Sequence, residues 1–227
     1  MTVDEFSNEL DILLNKSNIE LDEYEKSLLL TQAQLDLVNK YVTQDFESNS
    51  KVRTDLQELI KNYASEDIIS SSNGISSDSK FFKLPADVLV IIQEQCTITS
   101  TDDCLNNSTI PVVPKTHDEY NKQIKNPFKK PDSSLVWRLD FHKQNFIDSN
   151  VELISPYTIS KYTVRYISYP EPIVLTNLSN SVSGEGLSID GVSTFQTSKL
   201  NESIHKEILN RANELAMSSY RENNLAK

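Results

Sequence analysis

The stretch KYTVRYISY at residues 161–169 indicates a β-strand, because apolar side chains alternate with Lys161, Thr163 and Arg165. The stretch LVWRLDF at 135–141 also alternates, which places Arg138 and Asp140 on the solvent side. The run VLVII at 88–92 is short and rich in β-branched residues, which favours a strand over a helix. A further strand is expected to start at the run IVL at 173–175. The middle of the chain therefore predicts a small, mostly antiparallel β-sheet.

The residues before this sheet predict three amphipathic helices. A helix over 2–17 begins with Thr2 and Glu5 at capping-box spacing, and a helix over 22–43 begins with Asp22 and Glu25 in the same way. The apolar stripe of the second helix is formed by Tyr24, Leu28, Leu35, Val38 and Val42, widened by Leu30 and Leu37. A third helix over 51–64 has its apolar residues at Val52, Leu56, Leu59, Ile60 and Tyr63.

Two further helices and two loops complete the pattern. A short helix over 116–126 has capping-box spacing at Thr116 and Glu119, and a last helix over 201–220 has Asn201 as its N-cap. Ser-rich stretches at 65–80 and 179–200 predict loops. The fold class is α+β, with an N-terminal helical bundle, the sheet in the middle and a C-terminal helix. The expected division is a helical region 1–64, a linker 65–80 and a β-rich region 81–227, with one integrated domain as the alternative.

The negative charge is concentrated near the N-terminus. Residues 1–79 hold 16 of the 33 acidic residues and only 6 of the 22 basic ones. A solvated helical arm would explain this imbalance, and so would an acidic surface that faces a channel through which DNA passes without sticking. The candidate channel residues are Asp22, Glu23 and Glu25.

A basic cluster with interleaved aromatic residues follows in the middle of the chain. Its members are Lys115, Lys122, Lys125, Lys129 and Lys130, with Tyr120 and Phe128 among them. Lysines next to aromatic residues are typical of a surface that binds nucleic acid. The alternative is a solvated helix and loop in which Phe128 and Pro131 pack onto the sheet. Lys122, Lys125, Lys129 and Lys130 are therefore candidate DNA-contact or interface residues.

The sequence contains no recognisable catalytic motif, metal-ligand spacing or cofactor loop. An enzyme would need a pocket that gathers residues such as His117, Asp140 and His142. Cys96 and Cys104 are eight residues apart, which suits idle thiols better than a metal site. No secretory signal or membrane-spanning run is apparent, so synthesis in a reducing cytoplasm is expected. We therefore predict no catalytic residue, cofactor or metal.

Several stretches together resemble the virion proteins of tailed, crAss-like phages of Bacteroides. They are LDEYEKSLLLTQAQ (21–34), THDEYNKQIKNPFKKP (116–131), YTVRYISYPEPIVL (162–175) and LNESIHKEILNRANELA (200–216). The resemblance implies a structural protein of the head-to-tail connector, located in the virion and assembled in the bacterial cytoplasm. It implies a homo-oligomeric ring, twelve-fold to match the portal. The implied partners are the portal, adjacent ring or tail proteins and genomic DNA that passes non-specifically, with no membrane. Another tail or collar component, or an assembly factor, is the alternative.

Overall fold

The computed structural model describes residues 1–44, 50–66, 68–69, 74–142, 149–179 and 186–225. Within these ranges the helices are α1 (Val3–Asn15), α2 (Glu23–Gln44), α3 (Ser50–Asp55), α4 (His117–Gln123) and α5 (Glu202–Leu225). The strands are β1 (Ile60–Ser65), β2 (Ile68–Ile69), β3 (Ser79–Lys83), β4 (Val88–Thr99), β5 (Thr109–Pro114), β6 (Val136–His142), β7 (Ser149–Ile154) and β8 (Thr158–Ser168). The α+β class is confirmed.

The chain forms two compact units that do not follow chain order. The helical unit comprises Met1–Leu59 and Tyr169–Lys227, and the sheet unit comprises Ile60–Ser168. The helical unit holds 20 acidic and 10 basic residues and the sheet unit 13 and 12, so their net charges are −10 and −1 of the total −11. Nearly all of the excess negative charge therefore belongs to the helical unit.

The helices α1, α2 and α5 supply many of the buried apolar residues of the helical unit. Helix α1 begins with the expected capping box, in which Thr2 accepts a hydrogen bond from the Glu5 amide, and it buries Phe6, Leu10 and Leu14. The buried apolar residues of α2 and α5 are Leu30, Ala33, Leu37, Val38, Ile204, Ile208, Leu209, Ala212 and Ala216. The sequence-based stripe of α2 was partly wrong. Leu28 is 41% exposed, whereas polar Ser27 and Gln34 are buried.

Those polar residues of α2 hold an extended segment that has no neighbouring strand. The Ser27 hydroxyl accepts a hydrogen bond from the Leu175 amide at 2.9 Å, and the Gln34 amide donates to the Glu171 carbonyl at 2.7 Å. The Thr31 hydroxyl accepts from the Ile173 amide at 3.1 Å and donates to its carbonyl at 3.2 Å. A buried backbone needs such partners. The strand expected at 173–175 is therefore wrong: only an isolated bridge, Val174 to Gln196, occurs there.

The third predicted helix is much shorter than expected. Helix α3 ends at Asp55, a 3₁₀ turn covers Gln57–Leu59, and the chain then enters β1. Strand β1 pairs antiparallel with β8, and Tyr63 packs against the core of the sheet. Apolar residues at 56, 59, 60 and 63 fit a helical period. Pairing with β8, however, also gives the backbone of β1 hydrogen-bond partners. The local pattern cannot decide between these outcomes.

The sheet contains eight strands in the order β1-β8-β4-β5-β6-β7-β3-β2. All neighbours are antiparallel except β5 and β6, which are parallel. The sheet curls, because the rings of Phe82 in β3 and Tyr162 in β8 lie 5.6 Å apart although four strands lie between β8 and β3 in the pairing order. The loop predicted at 65–80 was partly wrong, since it includes β2 and the first residues of β3.

Helix α4 covers the outer face of the curled sheet. Tyr120 of α4 meets Trp137 of β6 edge-on, with ring centroids 6.1 Å apart, and Leu139 and Ile154 complete this cluster. Because apolar residues of β6 thus face outward, Arg138 points into the curl and its side chain is only 11% exposed. The prediction that Arg138 faces solvent was therefore wrong. Asp140, by contrast, is exposed.

Candidate assembly surfaces and buried polar clusters

The acidic N-terminus of α2 combines exposed and structural carboxylates. Asp22 and Glu25 form a capping box: the Asp22 carboxylate accepts from the Glu25 amide at 2.7 Å, and the Glu25 carboxylate accepts from the Asp22 amide at 3.1 Å. Both residues are exposed. Of the three candidate channel residues, these two can therefore present charge outward.

The third candidate, Glu23, belongs to a buried ion-pair cluster between α1 and α2. Lys26 is only 3% exposed, and its ammonium lies 2.8 Å from both Glu23 and Asp11. It also donates a hydrogen bond to Ser7. Burial lowers the pKa of Lys26, but the bonds to Asp11 and Glu23 outweigh that effect and raise the pKa above its ordinary value. Glu23 also accepts a hydrogen bond from the Ser7 hydroxyl of α1 at 2.9 Å, so it contributes to the contact between the two helices.

The four candidate lysines lie around one ordered turn, which we call the basic turn (residues 122–130). Lys122, Lys125, Lys129 and Lys130 are all exposed. The Asn126 side chain accepts a hydrogen bond from the Phe128 amide at 3.0 Å, and its carbonyl accepts from the Lys129 amide at 3.1 Å. Phe128 itself is 96% exposed. The alternative in which Phe128 packs onto the sheet was therefore wrong, because Ile124 and Tyr120 already fill that contact with Trp137.

A polar cluster lies inside the curled sheet. The Tyr162 hydroxyl donates to the Glu94 carboxylate at 2.6 Å, and the Arg138 guanidinium lies 3.3 Å from the same carboxylate. Burial raises the pKa of Glu94 above its ordinary value, although Arg138 and Tyr162 act in the opposite direction. Asp140 lies 3.4 Å from Arg138 at the exposed end of the cluster. The alternating pattern of the sequence did not predict this cluster, because it places Arg138 on the solvent side of the sheet.

The residues of the enzyme hypothesis occupy two elements of the sheet unit: His117 lies in α4, and Asp140 and His142 lie in β6. His117 is exposed in the first turn of α4, and Asp140 pairs with Arg138. The side chain of His142 lies outside the described residues. Burial raises the pKa of the Cys96 thiol to about 11, and Cys104 is exposed and free. Within the described ranges, no three His, Cys, Asp or Glu residues form a group that could hold a metal ion.

The sequence interpretation gave no role to His205, which is buried in the first turns of α5. Its ring lies 5.1 Å from that of Phe6, and its nitrogens contact the Met1 amine at 3.2 Å and the Leu200 carbonyl at 3.0 Å. Burial, followed by the nearby ammonium of Met1, lowers the pKa of His205. No local motif signals this position, because two of its three partners, Met1 and Phe6, lie at the other end of the chain, Met1 being 204 residues away.

A groove of about 570 Å³ runs along α2 and α5 within the helical unit. The Arg211 guanidinium lies 2.8 Å from Asp36 and 3.2 Å from Glu214, so ion pairs occupy much of its lining. Among the helices described here, none is long and apolar enough to span a membrane.

The two units differ in net charge, −10 against −1, and both expose ionic side chains that could pair with a complementary surface of another chain. The family comparison agrees: the chain belongs to the phage tail ring protein 3/4 family, whose model matches residues 1–227. Ring protein 3 of Bacteroides phage crAss001 is 38% identical over 232 residues, which cover 96% of each chain. Ring protein 4/5 of the same phage is 37% identical over 234 residues, which cover 97% of this chain and 94% of the relative. The resemblance to virion proteins of crAss-like phages is thus confirmed, and the family is one of structural ring proteins.

Proposed function

We propose that the protein is the subunit of a homo-oligomeric ring in the head-to-tail connector, beneath the portal, through which the genome passes. The observation that carries this proposal is the family match over the whole chain, together with two relatives that are named ring proteins. The portal, adjacent ring or tail proteins and non-specifically contacted DNA are the proposed partners. The proposed symmetry is twelve-fold, in keeping with closed rings built from one repeated contact.

Light scattering on the purified protein, alone and mixed with the portal of the same phage, tests the proposal. Twelve copies of the 25.8 kDa chain would have a mass of about 310 kDa. A species of that mass supports the ring and its symmetry, and a ring-sized species of another mass corrects the symmetry. A chain that stays monomeric at high concentration and does not bind the portal would contradict the connector role.

The acidic helical unit suggests which part of the subunit lines the channel. Its net charge of −10 would repel the DNA backbone, so a lumen lined by it would let DNA slide without adhering. We propose Asp22 and Glu25 as lumen residues, with Glu23 beside them in its ion pair with Lys26. Replacing Asp22 and Glu25 by Lys should slow packaging or ejection, measured as DNA content and infectivity.

A matched control separates the lumen effect from a general charge effect. Asp102 and Asp103 are exposed in the sheet unit, and replacing both by Lys changes the net charge by the same amount. Normal infectivity in this control, with a defect in the helical variant, supports the lumen assignment. Unchanged DNA content and infectivity in the Asp22 and Glu25 variant would contradict it.

A second candidate is a ring or collar located elsewhere in the tail, or an assembly factor. The family description, which names a tail ring protein, favours the tail location. Cryo-electron microscopy of virions that carry a labelled copy distinguishes these locations. Density directly beneath the portal supports the connector, density farther along the tail supports this alternative, and absence from purified virions indicates an assembly factor.

A further inference from the structure

The basic turn places an aromatic side chain in solvent without a local reason. Phe128 is the most exposed of the large apolar side chains described, at 96%. Segment 120–131 contains four lysines and no acidic residue. The turn is nevertheless ordered, because Asn126 bonds to the amides of Phe128 and Lys129. Exposed aromatic side chains held in a fixed geometry are typical anchors of protein interfaces, since little conformational entropy is lost on binding.

A closed ring built from one chain needs two different surfaces that fit each other. In a head-to-tail contact, one surface of each copy meets another surface of the next copy. The basic turn lies in the nearly neutral sheet unit, whereas the helical unit has a net charge of −10. The complement to the basic turn is therefore present on the same chain but in the other unit.

Helix α1 offers a matching surface with both charge and apolar area. Ile12 is 60% exposed. Glu9 lies three residues before it and Glu5 seven residues before it, so all three share one side of the helix. Both glutamates are exposed. This arrangement of one apolar side chain and two carboxylates mirrors Phe128 with Lys129 and Lys130.

We propose that the basic turn of one copy docks on the exposed face of α1 in the next copy of the same chain. Phe128 packs against Ile12, and Lys129 and Lys130 pair with Glu5 and Glu9. This contact rests on the ring proposed above and identifies the two surfaces that close it. Duplex DNA is the competing partner for the lysines, but Phe128 could enter a duplex only at the cost of unstacking a base step, whereas Ile12 is already exposed on α1.

The first experiment measures self-association by sedimentation equilibrium of the full chain. Phe128→Ser should weaken association about tenfold or more, as expected for an interface anchor. Phe195→Ser is the matched control, because Phe195 is 60% exposed but lies outside the proposed contact. Thermal unfolding shows whether each variant is folded. Association of Phe128→Ser at wild-type strength would overturn the inference while the ring itself stands.

The second experiment exchanges charges between the two surfaces. A chain with Lys129→Glu and Lys130→Glu, and a second chain with Glu5→Lys and Glu9→Lys, should each associate at least tenfold more weakly than the wild type. A mixture of the two should assemble again, because each altered surface then meets its complement. A single chain that carries all four changes should also assemble. Failure of both the mixture and the fourfold variant would overturn the pairing.

The outcomes separate this inference from the ring itself. A wild-type chain that never associates contradicts both the ring and the contact. Wild-type association that persists in the basic-turn variants contradicts the contact alone. Loss of duplex DNA binding in Lys129→Glu and Lys130→Glu with normal self-association, and with no effect of Phe128→Ser, would assign the turn to DNA and overturn the protein contact.

Discussion

The helical unit and the sheet unit satisfy their buried backbone in different ways. In the sheet unit, strand pairing from β1 to β2 supplies the partners. In the helical unit, the segment around Ile173 has no neighbouring strand, and side chains of α2 supply them instead. The helical unit therefore depends on individual polar side chains, whereas the stability of the sheet unit is spread over many equivalent backbone bonds. Four predictions test this difference, from the largest expected effect to the smallest.

Core truncations should affect one unit at a time. Leu139→Ala in the sheet unit and Ile208→Ala in the helical unit each remove a fully buried side chain, and each should cost about 2–5 kcal/mol. Trp137 is the single tryptophan and lies in the sheet unit, so its fluorescence follows that unit, while circular dichroism at 222 nm follows mainly the helices. Urea unfolding should show the larger shift in the probe of the altered unit. Equal shifts in both probes would show that the units unfold together.

Lys26→Met should destabilise the helical unit by about 1–3 kcal/mol, because Asp11 and Glu23 then lose a common partner. The expected loss of stability is smaller than for a fully buried ion pair, because both carboxylates are 43% exposed. Exposed Lys16 provides the control, and Lys16→Met should change stability by less than about 0.5 kcal/mol. A Lys26→Met chain as stable as the control would mean that this cluster adds nothing.

Thr31→Val should cost about 1–2 kcal/mol, since the Ile173 amide and carbonyl both lose their partner. The substitution keeps the shape of the side chain. Thr43 bonds only within its own helix, so Thr43→Val should have little effect. Urea unfolding followed by circular dichroism measures both. Equal stability of the two variants would contradict the role given to α2.

A fall in pH should destabilise the helical unit through His205 and stabilise the sheet unit through Glu94. The lowered pKa of His205 stabilises the folded helical unit above the ordinary histidine value of about 6.5, and this contribution is lost as the pH falls through the lowered pKa. The raised pKa of Glu94 stabilises the folded sheet unit at low pH, and that contribution is lost as the pH rises through the raised pKa.

Unfolding midpoints between pH 4 and pH 8 measure these contributions against His205→Gln and Glu94→Gln. As the pH falls, the wild type should lose stability relative to His205→Gln. Over the same range it should gain stability relative to Glu94→Gln. Met1, Glu202 and Leu200 surround His205, and Arg138, Tyr162 and Asp140 surround Glu94, so both variants keep every other titrating group. Differences that do not change with pH would contradict the assigned environments.

Local signals predicted the helix starts correctly. Thr2, Asp22 and Thr116 each accept the expected hydrogen bond, because capping depends only on residues three apart. The strands at 135–141 and 161–169 were also found, since alternation is local. The pattern did not predict which side of β6 faces inward. That depends on α4, which covers the outer face and is brought there only by tertiary packing. The pairing of β1 was missed for the same reason: its partner β8 is about one hundred residues away.

The sequence by itself determined the α+β class, the capped helix starts, the uneven charge and the family of ring proteins. These properties depend on residue type, on short spacings or on similarity along the whole chain. The tertiary structure alone decided that α5 joins α1 and α2, that Arg138 meets Glu94 inside the sheet, and that Phe128 stays in solvent. Each of these depends on contacts between residues far apart in the chain, whose energies local patterns do not contain.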